Sequence, residues 1–146
     1  MKLTNKVAVV VGASHGLGKA LVELLAQENV TVWALARTIE KTVLPPSVTK
    51  IPLNIRDVAS IDSAFAQIDQ QTKTIDILIN CAGRGLVKKF EDTTREEIMD
   101  VLGINLKGNI YMALEGYKRM LPKKSGHIVN VSSTSGIKAR EMETIY

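Results

Sequence analysis

The chain has 146 residues, the length of one domain able to bury a real core, so residues 1–146 are expected to form a single unit. Its 45% apolar and 23% charged residues are ordinary for a globular protein, and its net charge of +4 is spread thinly, with basic pairs only at Lys88-Lys89 and Lys123-Lys124. That pattern argues against a nucleic-acid surface, and no apolar run approaches the ~20 residues that cross a bilayer. Met1 to Lys6 is polar and carries no leader pattern, and the lone Cys81 excludes an intramolecular disulfide framework; both fit a reducing, cytoplasmic setting.

Val7 to Val11 is a short β-branched run, predicted as a strand buried on both faces. It leads into Val11-Gly12-Ala13-Ser14-His15-Gly16-Leu17-Gly18 and then an amphipathic helix, Lys19 to Glu28, with a stripe of Leu17, Ala20, Leu21, Leu24 and Leu25. Strand, glycine turn and helix form the context in which a dinucleotide site arises. Gly12 would turn the chain off the strand, Gly16 would let a phosphate approach the backbone, and Gly18 would let helix and strand pack closely. Unpaired N–H groups at the helix start suit a pyrophosphate. The spacing is not that of a P-loop, because Ala20 follows Lys19.

Thr31 to Ala36 is the second predicted strand. Pro45-Pro46 limits the next crossover to a turn or two of helix, and Lys50 to Asn54 is a third strand. Val58, Ile61, Phe65 and Ile68 predict a helix over Ala59 to Thr72, followed by a strand from Ile75 to Asn80 and a loop from Gly83 to Asp92. Thr94 with Glu97 is a capping-box pattern opening one long helical stretch toward Met120. Pro122 to Gly126 ends it, and His127 to Ser132 is the fifth strand. Strands alternating with helices predict an α/β fold: a doubly wound parallel sheet, Rossmann-type, in strand order 3-2-1-4-5. A ligand then belongs at the C-terminal ends of strands 1 and 4, where the winding reverses, with Cys81-Ala82-Gly83 beside the glycine loop.

These residues resemble the short-chain dehydrogenase/reductase family. The segment 11–18 is similar to its Thr-Gly-x-x-x-Gly-x-Gly motif, and Asn80-Cys81-Ala82-Gly83 to its Asn-Asn-Ala-Gly turn. Ile104-Asn105-Leu106 is similar to the family's active-site helix asparagine, and Ile128 to Ser133 to its catalytic-serine strand. Tyr146 follows Ser133 by the family's serine-to-tyrosine spacing of 13 residues. Val11 and Cys81 depart from the pattern; Cys81 reads best as a small buried residue with no redox task. The family's lysine, four residues after its tyrosine, would lie past residue 146, as would its later strands and substrate lid. The expectation is a chain incomplete at its C-terminus, inactive as a 146-residue piece and prone to associate through an open sheet edge.

The resemblance implies carbonyl reduction or alcohol oxidation on a small molecule, with hydride carried by a nicotinamide. Tyr146 would be the general acid/base, Ser133 would hold the substrate oxygen, and Asn105 would interrupt its helix and hold a water on the proton path. Asn105 shares a predicted face with Ile98, Val101 and Leu102, where a buried amide must be hydrogen-bonded. Cofactor contacts are expected from Gly12, Ser14, Gly16, Leu17, Gly18, Asn54, Ile55, Asn80, Ala82 and Gly83, while His15 faces either a phosphate or solvent. Ala36 stands where the family places an acid selecting NAD, and Arg37 follows it, so NADP is expected over NAD. No metal site is expected. Ile110, Tyr111, Met112, Leu114 and Tyr117 exceed one packed stripe and suggest a homodimer or homotetramer. Two rival readings are a non-catalytic NADP(H)-binding module and an epimerase- or dehydratase-like relative; the glycine spacing argues against the second.

Overall fold

A computed structural model describes residues 3–138 and 140–146. Five parallel strands lie in the order β3-β2-β1-β4-β5, which is the predicted order. They are β1 (Val7–Val11), β2 (Thr31–Ala36), β3 (Thr49–Pro52), β4 (Ile77–Asn80) and β5 (His127–Asn130). β1 sits centrally, with Val11 level with Leu35 of β2 on one side and Asn80 of β4 on the other.

Period-two alternation along these strands feeds two cores. Val9, Val11, Trp33, Leu35 and Leu78 face the helices α2 (Val58–Gln71) and α4 (Asn109–Met120), meeting Ile61, Phe65, Ile68 and Met112. Ala8, Val10, Val32, Ala34, Ile77 and Ile79 face α1 (Gly16–Gln27), meeting Val22 and Leu25. Arg119 of α4 caps the first layer: it pairs with Asp69 of α2 at 2.5 Å and lies 4.4 Å from the centre of the Phe65 ring.

α1 begins at Gly16, three residues before the predicted start, and its buried line is Gly18, Val22 and Leu25. The expected stripe is therefore corrected: Leu17, Ala20 and Leu24 are exposed and Leu21 is half-buried. Starting the helix inside the glycine loop turns Leu17 away from the sheet. The crossover after β2 holds one short 3-10 turn, Ile39–Lys41, within the limit set by Pro45-Pro46. Strand and helix limits otherwise shift by one to three residues; β5 ends at Asn130 rather than Ser132.

The predicted long helix is one rod in three parts. α3 (Arg95–Leu102) carries the complete capping box, the Thr94 amide donating to Glu97 at 2.9 Å and the Glu97 amide to Thr94 at 3.2 Å. A π turn, Gly103–Gly108, comes next, and α4 continues from it. The wider turn rotates α4 away from the phase a regular helix would have kept. Of the residues predicted to share a face with Asn105, Val101 is buried, Ile98 is half-buried and Leu102 is exposed, so that face is only partly formed. Gly108 lets the π turn press on the segment after β3, where a Cβ would lie 2.5 Å from the Ile55 carbonyl oxygen.

At the opposite end of the sheet, Asp76 joins three elements. It accepts from the Val7 amide at 2.9 Å and pairs with Lys123 at 2.6 Å and Lys6 at 3.2 Å. Burial pushes its carboxyl up, but Lys123, the Val7 amide and Lys6 together outweigh burial and hold it below the ordinary carboxylate range. A depressed carboxylate stabilises the fold above its unfolded-state value, near pH 3.9, and that stability is lost as pH falls through the folded value. Asp76→Asn is therefore expected to cost about 1–2 kcal/mol at pH 7. Urea unfolding at several pH values checks this: the gap between wild type and variant should narrow as pH falls below the unfolded-state value, and a gap independent of pH would contradict the assignment.

Candidate active site

The C-terminal ends of β1, β2 and β4 open into a cleft of about 490 Å³. Its walls include Gly12, Ser14, His15, Gly16, Leu17, Gly18, Arg37, Asn54, Ile55, Ala82 and Gly83, so the expected contacts meet in one place, Asn80 excepted. Gly12 has φ +79°, and a Cβ there would lie 2.7 Å from the Ala82 amide nitrogen. The glycine loop and the turn after β4 thus touch backbone to backbone, which only glycine permits. Gly16 also has positive φ, +54°, but a Cβ there would meet nothing within 4 Å. Its missing side chain leaves open the mouth of α1, whose first turn carries no acidic residue.

The Leu35 carbonyl of β2 accepts from the Gly12 and Ala13 amides at 2.8 and 3.2 Å, tying the loop in place without the hydroxyl that Val11 lacks. His15 and Ser14 meet at 2.9 Å between Nδ1 and Oγ on the exposed rim. Arg37 makes no hydrogen bond or ion pair among the described residues, and Ala36 beside it is buried. Asn54 accepts from the Arg56 amide at 3.3 Å, and Ile55 is buried on the cleft floor. Cys81 also lines the cleft; burial pushes its thiol up, which keeps it neutral.

A second cleft, of about 430 Å³, shares Ala82, Gly83 and Val131 with the first. Asn105, Ser133 and Tyr146 all line it. Ser133 caps a 3-10 turn, its hydroxyl oxygen accepting from the Ser135 amide at 3.1 Å. That bond uses an acceptor site and leaves the Ser133 O–H free to donate. Tyr146 is 40% exposed at the rim. Asn105 reaches across to the loop after β4, its Oδ1 accepting from the Arg84 amide at 2.8 Å and its Nδ2 donating to the Arg84 carbonyl at 2.9 Å. Both ends of its side chain are thus tied to the backbone of Arg84, which leaves one N–H and one oxygen lone pair over.

Asn80 differs from its expected place. It is 1% exposed and stands off the cleft, donating to Asn130 of β5 at 2.8 Å and to the Asn109 carbonyl at 3.3 Å. Asn130 lies level with Asn80 in the β4–β5 register. Sequence reasoning passed over Asn130 and Asn109; the paired strand ends, and a second asparagine four residues after Asn105, were the available signals. It also passed over Asp100, whose side chain is 12% exposed and pairs with both Arg56 and Arg84. That triad joins α3 to the loops after β3 and β4 at the edge of the first cleft.

Residues 6–146 match the short chain dehydrogenase family. An uncharacterized oxidoreductase of Staphylococcus aureus is 34% identical over 150 residues, covering 99% of this chain and 65% of its own length. The chain thus spans slightly under two thirds of the length of the curated relatives it matches. Among solved structures, a short-chain dehydrogenase from Streptomyces avermitilis superposes with a TM-score of 0.91 at 30% identity, covering 98% of this chain and 54% of that one. The F189W actinorhodin polyketide ketoreductase, solved with NADPH, superposes with a TM-score of 0.88 at 26% identity, covering 97% and 58%. A glycine loop, its apposed turn and a serine–tyrosine cleft, matched along nearly the whole chain, place this protein in the short-chain dehydrogenase family.

Proposed function

We propose that the protein is an NADP(H)-dependent oxidoreductase acting on a small carbonyl or alcohol substrate. The observation that carries this reading is the pair of clefts sharing the Ala82–Gly83 wall, one lined by the glycine loop and Arg37, the other by Ser133 and Tyr146. The first cleft fits a dinucleotide: the open space before Gly16 and the acid-free start of α1 suit a pyrophosphate. A nicotinamide there would supply the hydride.

The chain's own groups do the remainder. Ser133 donates its free O–H to the substrate oxygen and steadies the charge developing on it. Tyr146 gives its phenolic proton to that oxygen during reduction and takes it back during oxidation. Asn105 holds the Arg84 backbone, and with it the loop after the shared wall. Along the rod, Leu106, Ile110, Leu114, Tyr117 and Leu121 stay exposed at three- and four-residue spacing, while Met112 is buried and Tyr111 half-buried. This stripe supports assembly as a homodimer or homotetramer.

Arg37→Ala tests the cofactor choice. Losing one charge-assisted pair to the 2′-phosphate, worth ~1.5–3 kcal/mol, should weaken NADPH binding about tenfold to a hundredfold and leave NADH nearly unchanged. Fluorescence titration with both nucleotides reads the result, and equal losses would overturn the NADP assignment. Nucleotide binding without turnover on any carbonyl would favour the non-catalytic module.

A further inference from the structure

We propose that Asn109 is a positioning residue that locks the π turn onto the wall shared by the two clefts. Its Nδ2 group lies 3.1 Å from the Ala82 carbonyl, 3.1 Å from the Ile104 carbonyl and 3.2 Å from the Asn105 carbonyl. Its backbone N–H donates to the Leu106 carbonyl, and its side chain adds a donor to two earlier carbonyls of the π turn. Its own carbonyl accepts from Asn80, which donates in turn to Asn130. One residue therefore joins the π turn and the turn after β4 through its side-chain amide and, through its main-chain carbonyl and Asn80, the end of β5.

The chemistry of that amide is specific. Three carbonyl oxygens converge on one NH₂ group, so the position requires a donor and rejects an acceptor. The Asn109 Oδ1 atom is buried without a partner, a cost accepted to aim the nitrogen at the carbonyls. Ala82 belongs to both clefts, and Asn105 belongs to the second. A shift of the π turn against Ala82 would move Asn105 and the shared wall relative to each other. Displacements near 1 Å can cost about a hundredfold in rate.

This inference rests on the reading of the first cleft as a nucleotide site, and the experiment separates the two. Asn109→Leu keeps the shape and removes both donors; Asn109→Asp replaces the donor by a carboxylate that can donate only when protonated. Backbone hydrogen exchange of segments 81–86 and 103–109 is measured in the full-length protein and in both variants, alongside NADPH fluorescence titration. The Leu variant is expected to exchange about tenfold faster in both segments together, with exchange in β1 and β2 unchanged and the NADPH dissociation constant within about twofold. Bound-NADPH emission should fall, because a nicotinamide in the first cleft would meet a looser wall. The Asp variant should match Leu at pH 8 and approach wild type at pH 5, relative to wild type at the same pH. Unchanged exchange at 81–86 in the Leu variant, or an Asp variant indifferent to pH, would overturn the proposal. If Leu unfolds globally, the Asp variant's pH dependence decides alone. Failure of the wild type to bind NADPH would sink the nucleotide reading and leave the exchange result to decide the role of Asn109.

Discussion

Tyr146→Phe in the full-length enzyme is expected to lower turnover by ~10² or more while leaving NADPH affinity unchanged. Tyr146 lines the second cleft with Ser133 and is absent from the walls of the first, so on the proposed reading removing its hydroxyl should touch the proton step and not nucleotide binding. The loss should appear in kcat and kcat/KM alike, as for a group acting only in the transition state. Ser133→Ala should show the same pattern, since in the proposed mechanism its O–H serves the same oxygen. Steady-state NADPH oxidation with a panel of aldehydes and ketones, paired with fluorescence titration, gives both quantities. Robust turnover by the Phe variant would mean that another group supplies the proton.

Gly12→Ala and Gly16→Ala are expected to fail in opposite ways. Both positions have positive φ, so each alanine carries about 1–2 kcal/mol of backbone strain. At Gly12 the new methyl also meets the backbone of Ala82 and Cys81 at 2.7–2.8 Å, and neither neighbour can rotate away. Overpacking of that kind adds about 1–3 kcal/mol, so Gly12→Ala should destabilise the fold by roughly 2–5 kcal/mol. At Gly16 the methyl meets no protein atom, so stability should fall by the strain alone. The methyl would project into the space where a pyrophosphate approaches the start of α1. NADPH affinity should therefore drop about a hundredfold or more at Gly16, far beyond what its stability loss explains. Urea unfolding and nucleotide titration on both variants check the split. Equal stability losses would contradict the backbone contact, and unimpaired binding by Gly16→Ala would move the phosphate site elsewhere.

These two experiments address residues legible in the chain alone, whereas the role of Asn109 rests on contacts that only the fold creates. Short β-branched runs alternating with helical periodicity determined five strands and their winding, because a parallel sheet buried on both faces needs continuous apolar segments. The glycine spacing likewise determined a tight strand-to-helix turn, since Gly12 and Gly16 occupy backbone conformations that other residues resist. The capping box at Thr94 and Glu97 is a local signal and appeared where it was read.

Tertiary structure decided what depends on distance across the fold. Periodicity treated Leu17 and Leu24 as core along with Leu25, but a helix starting at Gly16 buries Val22 with Leu25 and leaves Leu17 and Leu24 exposed, because the phase is set by contact with the sheet. Periodicity alone ran straight through residues 103–108, and only the resemblance pointed to an interruption at Asn105; the π turn found there brings Gly108 against Ile55, where no side chain would fit. Asn80 carried a motif's expectation toward the cleft, yet parallel register set it level with Asn130 and turned its amide into the sheet end. Residues 80, 109 and 130 are far apart in the chain, and only folding brings their amides within hydrogen-bonding reach. Side chains that act locally were thus determined by sequence, and side chains that join separate elements were decided by packing.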